Sequence, residues 1–86
     1  MTPLQFADAL RAYCMASGGS VTSWGRTPNH NKTVGGVTDS AHLLWVAADV
    51  IYDMPGDAPW HDALAARVGL MIVHEGDHDH VQPVRG

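Results

Sequence analysis

With 86 residues, the chain has room for one small domain and no second. Its formal charge of -4, with only five Lys and Arg and no basic stripe, argues against nucleic acid as a partner. The single cysteine, Cys14, excludes an intramolecular disulfide and fits folding in a reducing compartment.

A domain this short buries only about 60–65% of its unfolded surface, so its stability is marginal and a bound metal is a common supplement. No apolar stretch approaches the roughly 18 residues a membrane helix needs, so no membrane partner is expected. The N-terminus, Met1-Thr2-Pro3-Leu4-Gln5, lacks a basic region followed by an apolar run. A signal peptide is therefore not expected, and the chain reads as cytosolic at synthesis.

In chain order, Thr2 can cap a helix that has Pro3 at its first position, where a missing N–H costs nothing. Leu4, Ala7, Leu10 and Cys14 recur at helical spacing, with Phe6 and Tyr13 beside them, and Gly18-Gly19 ends the helix. Ser20-Val21-Thr22-Ser23-Trp24 is β-branched and aromatic enough for a short strand. Gly25 to Asp39 reads as a long loop, of the kind that in small domains is functional or disordered. Arg26 stands at its start, just past a strand end; a solvated surface charge is its bland reading.

Trp45-Val46-Ala47-Ala48-Asp49-Val50-Ile51-Tyr52 is the best strand pattern in the chain. Alternation puts Val46, Ala48 and Val50 on one face, and Trp45, Ala47, Asp49 and Ile51 on the other. Asp49 is then a carboxylate in an apolar, central strand and needs a metal or hydrogen-bond donors, backbone N–H groups included. Asp57 can cap a second helix over about 58–68, with Pro59 in its first turn and an apolar face from Leu64, Val68 and the alanines. His61 on this helix reads as a surface residue. Leu70-Met71-Ile72-Val73 forms an apolar strand, Gly76-Asp77 a hairpin turn, and Val81-Gln82-Pro83-Val84 a short edge strand.

Metal-ligand chemistry concentrates in two places. His42 and Asp49 bracket an apolar run, and the tail carries His74-Glu75-Gly76-Asp77-His78-Asp79-His80. Three readings compete for the tail: a solvated hairpin, a structural zinc site and a catalytic one. In strand geometry His78 and His80 project to one face and can share a metal. Structural zinc sites prefer cysteine and fill all four positions, whereas two histidines and one carboxylate leave a position for water. Glu75, the only glutamate, lies near enough in sequence to serve as a base, or simply ends a strand as a surface charge.

Arg26-Thr27-Pro28-(Asn29-His30)-Asn31, Val34-Gly35-Gly36, Ser40-x-His42, Ala48-Asp49 and His78-x-His80 together resemble the LAS-type zinc peptidases. These are the D-Ala-D-Ala carboxypeptidases and peptidoglycan L-alanyl-D-glutamate endopeptidases of bacteria and their phages. The family pattern is Ser-x-His-x-x-Gly-x-Ala-x-Asp, followed near the end by His-x-His or Glu-x-x-His. The resemblance implies one zinc ion held by His42, Asp49 and His80, with Glu75 as the base that activates water. It makes His78 a group that either supports the metal ligands from behind or stabilises the transition state, has Arg26 bind the substrate peptide or polarise its carbonyl, and has Ser40 bind substrate. The implied fold is α+β: an antiparallel sheet of about four strands carrying two helices, with zinc at the sheet face and residues 1–86 in one domain. The implied substrate is a peptidoglycan stem or cross-link peptide. Trp45 occupies the place of the motif glycine. A second reading keeps fold and zinc but assigns a binding or particle-assembly module without turnover.

Overall fold

A computed structural model describes residues 1–25, 45–54 and 56–84. Helix α1 spans Pro3–Ser17. Its start is a reciprocal capping box: the Thr2 hydroxyl accepts from the Gln5 N–H at 3.1 Å, and the Gln5 side chain accepts from the Thr2 N–H at 2.8 Å. Its end is Gly18, whose left-handed φ of 74° a side chain would oppose. The buried face is Phe6, Leu10, Tyr13 and Ser17, while Leu4 is 81% exposed. The expected stripe of Leu4, Ala7, Leu10 and Cys14 is thus rotated. Both series have helical spacing and share Leu10, and the larger apolar area of Phe6 and Tyr13 decides between them.

Strand β1 is Gly19–Ser23 and β2 is Ala48–Tyr52. The pattern expected from Trp45 onward shortens because Trp45 lies in a turn with φ 59°, before the ladder begins. Helix α2, Ala58–Arg67, is capped by Asp57, whose carboxylate accepts from the Trp60 N–H at 2.7 Å. Strands β3 (Leu70–His74) and β4 (Asp79–Pro83) form the expected hairpin, with Gly76 at φ 87° in its turn.

All pairings are antiparallel, in the order β1-β2-β4-β3. β4 is therefore an interior strand, not an edge; β1 and β3 are the edges. Proline is tolerated there because Pro83 ends the strand, opposite Leu70, where loss of a ladder donor matters least.

Among the described residues, the fold is α+β: two helices and a four-stranded antiparallel sheet. Phe6, Leu10 and Tyr13 of α1 and Ala65 of α2 form the core with Ala48 and Val50 of β2, Leu70 of β3 and Val81 of β4. The helices thus cover one face of the sheet. Strand alternation turns Asp49, Ile51, His80 and Gln82 to the opposite face. Ala47, just before β2, is also fully buried, although alternation set it opposite Ala48. It precedes the regular strand, so the period of two does not govern it. No described helix is long and apolar enough to cross a membrane.

Candidate metal centre

The β2–β4 register places Asp49 directly opposite His80 on the face turned away from the helices. His80 Nδ1 lies 3.6 Å from Asp49 Oδ1 and 3.9 Å from Glu75 Oε1. His78, just before β4, brings its Nε2 to 3.9 Å from Asp49 Oδ1 and 3.8 Å from Glu75 Oε2. Two imidazoles and two carboxylates from distant parts of the chain thus converge at separations too long for good hydrogen bonds. Asp49, His78 and His80 are partly sheltered, while the Glu75 side chain is 45% exposed.

Each histidine is oriented by a neighbour. Asp77 Oδ1 lies 2.7 Å from His78 Nδ1, and this hydrogen bond raises the His78 pKa above the usual imidazole value. The same contact lowers the Asp77 pKa. His80 is held through Nε2, 2.8 Å from Gln82 Oε1.

The remaining expected residues, Arg26, Ser40 and His42, lie outside the described residues. Among those that are described, no group of three or more His, Cys, Asp and Glu forms a metal cage. Of the three expected ligands, Asp49 and His80 are brought together; with them stand Glu75 and His78, expected near the site in other roles.

On the helix-facing side of β4, Asp79 is only 7% exposed. Tyr52 donates to its Oδ2 at 2.7 Å, and His74 Nδ1 lies 2.7 Å from its Oδ1. Because Tyr52 donates to Asp79, Tyr13, whose hydroxyl is 2.6 Å away, donates to Tyr52. Burial first, then these hydrogen bonds, pushes the Tyr52 pKa far above the phenol range. His74 Nε2 reaches Asp62 of α2 at 2.9 Å, so one imidazole joins α2 to the hairpin. Its pKa is raised, chiefly by the bond to Asp79.

His61, expected at the surface, is only 3% exposed and stacks on Tyr52 with ring centroids 4.0 Å apart. Its position one turn before Ala65 puts it on the helix stripe that meets the sheet. A pocket of about 530 Å³ opens between Tyr52, His61, His74 and His78. The sequence signal for Asp79 was the alternation itself: between two histidines on one face, it must point to the core and needs donors there.

No protein-family model matches this chain, no curated protein is significantly similar to it, and no solved structure matches it.

Proposed function

We propose that this chain is a zinc-dependent peptidase acting on peptidoglycan stem or cross-link peptides. The observation that carries the reading is the convergence of Asp49, Glu75, His78 and His80 on one sheet face. The donor set suits zinc, and two ligand atoms on one tetrahedral zinc lie roughly 3.4 Å apart, close to the 3.6 Å between Asp49 Oδ1 and His80 Nδ1. A further support is Trp45: its φ of 59° is the conformation that favours glycine, the residue the family motif has there. The choice of peptidoglycan as substrate rests on the motif resemblance alone.

His42, Asp49 and His80 would hold the metal. When bound, zinc supplies Lewis-acid polarisation of the scissile carbonyl and acidifies a water. Glu75, exposed on the rim, takes the proton from the attacking water and returns it to the leaving amine. His78, braced by Asp77, donates a hydrogen bond to the oxyanion that develops, and Arg26 and Ser40 bind the substrate peptide. The domain would reach the cell wall when released, as in phage lysis.

The test is metal analysis after zinc-replete purification, coupled to mass spectrometry of muropeptides incubated with the protein. One zinc per chain and cleavage of stem peptides are expected. Glu75→Gln should keep the zinc and lose about 10²-fold or more in turnover. A zinc content near zero overturns the reading. A second reading, a zinc-stabilised binding or assembly module, is favoured by the half-exposed Trp45 ring at the motif glycine's place. Stoichiometric zinc with no cleavage decides for it.

A further inference from the structure

Gln82 follows His80 by two residues in β4 and so shares its face, with Met71 of β3 directly across the ladder. The Gln82 amide spans the two: its Oε1 lies 2.8 Å from His80 Nε2, and its Nε2 donates to Met71 Sδ at 3.7 Å. The thioether breaks the amide's symmetry. Sulfur here only accepts, so the NH2 group belongs on the Met71 side and the oxygen on the His80 side. An amide oxygen also only accepts, so the proton of the neutral His80 ring resides on Nε2. The other nitrogen, Nδ1, then presents a lone pair where Asp49 Oδ1 stands at 3.6 Å and Glu75 Oε1 at 3.9 Å.

We propose that Gln82 is a positioning residue that fixes His80 as the Nε2–H tautomer, so that Nδ1 is the ligating nitrogen. Met71 supports it by holding the amide in the required orientation. The inference rests on the zinc reading for its functional meaning, but its structural content, the tautomer, exists without metal. A ligating histidine commonly gives its other N–H to an outer-shell acceptor, and loss of that acceptor costs about 10–100-fold in metal affinity.

The experiment compares the full chain with Gln82→Leu and Gln82→Glu. Long-range ¹H–¹⁵N spectra of the metal-free proteins, at a pH where imidazole is neutral, report the His80 tautomer; chelator competition reports the zinc Kd. The parent is expected to show Nε2–H. Gln82→Leu should show mixed tautomers and bind zinc about 10–100-fold more weakly. Gln82→Glu keeps an acceptor and should retain both the tautomer and the affinity. A parent in the Nδ1–H form overturns the proposal, as does a Gln82→Leu protein with unchanged tautomer and Kd. If the tautomer responds as expected but no variant binds zinc, the zinc reading falls and the assignment of Gln82 stands.

Discussion

Trp45 carries the only left-handed backbone among the described non-glycine residues, and the conformation costs an L-residue roughly 1–2 kcal/mol. What holds it is contact: the indole of Trp24 meets that of Trp45 edge-on at 6.1 Å, and Trp24 Nε1 donates to the Trp45 carbonyl at 3.2 Å. The Trp45 ring also lies against Gly25, where an added Cβ would come within 1.8 Å of Cδ2. Gly25→Ala is therefore expected to destabilise the fold by about 1–3 kcal/mol in urea denaturation. In a Trp45→Gly background the ring is gone, and the same substitution should cost at least about 1 kcal/mol less. Additive costs would show that the ring does not rest on Gly25. The indole over Gly25 was not readable beforehand: the sequence has both residues, but their contact joins positions twenty apart.

At the scale of elements, His74 ties α2 to the β3–β4 hairpin through Asp62 and Asp79. Neutral imidazole has one N–H for two carboxylates, whereas imidazolium serves both. The raised folded pKa means that this contribution is fully present below the unfolded value of about 6.5, and is lost as pH rises through the folded value. With His74 and Asp62 substantially exposed, screening keeps the effect to about 1 kcal/mol or less. The melting temperature of the parent should exceed that of His74→Asn by more at pH 5.5 than at pH 8.5. A gap that is the same at both values refutes an ionic clasp. The start of each helix was legible, since Thr2 and Asp57 announce them, and Gly18 and Gly76 mark the end of α1 and the turn of the hairpin. The clasp was not. Nothing in local sequence tells His74, which joins two elements, from His61, which is buried between them.

At the scale of the whole molecule, nine apolar residues are buried among the described residues, and three of them are alanines. A domain of 86 residues has little stability in reserve, and a ligand that binds only the folded state shifts the balance visibly. Zinc at a hundred times its Kd would add about 2.7 kcal/mol. In a domain of this size that corresponds to roughly 10–20 °C in melting temperature. Calorimetry with zinc and with excess chelator should show this difference for the parent, and Asp49→Ala should lack most of it. Equal melting points for the parent under both conditions would sink the metal site.

The sequence by itself determined what short-range chemistry governs: the helix caps, the hairpin turn, the α+β composition and the period of two that sets His80 and Gln82 on one face and Asp79 on the other. Only the tertiary structure decided which helix face is buried, that β4 inserts between β2 and β3, and that His61 goes inside. The pairing of Asp49 with His80 belongs to the second group. Caps and turns are made within a few residues, so their energies are written locally. Strand order and register depend on contacts between distant segments, where several arrangements satisfy the same local pattern and only the packed core selects one.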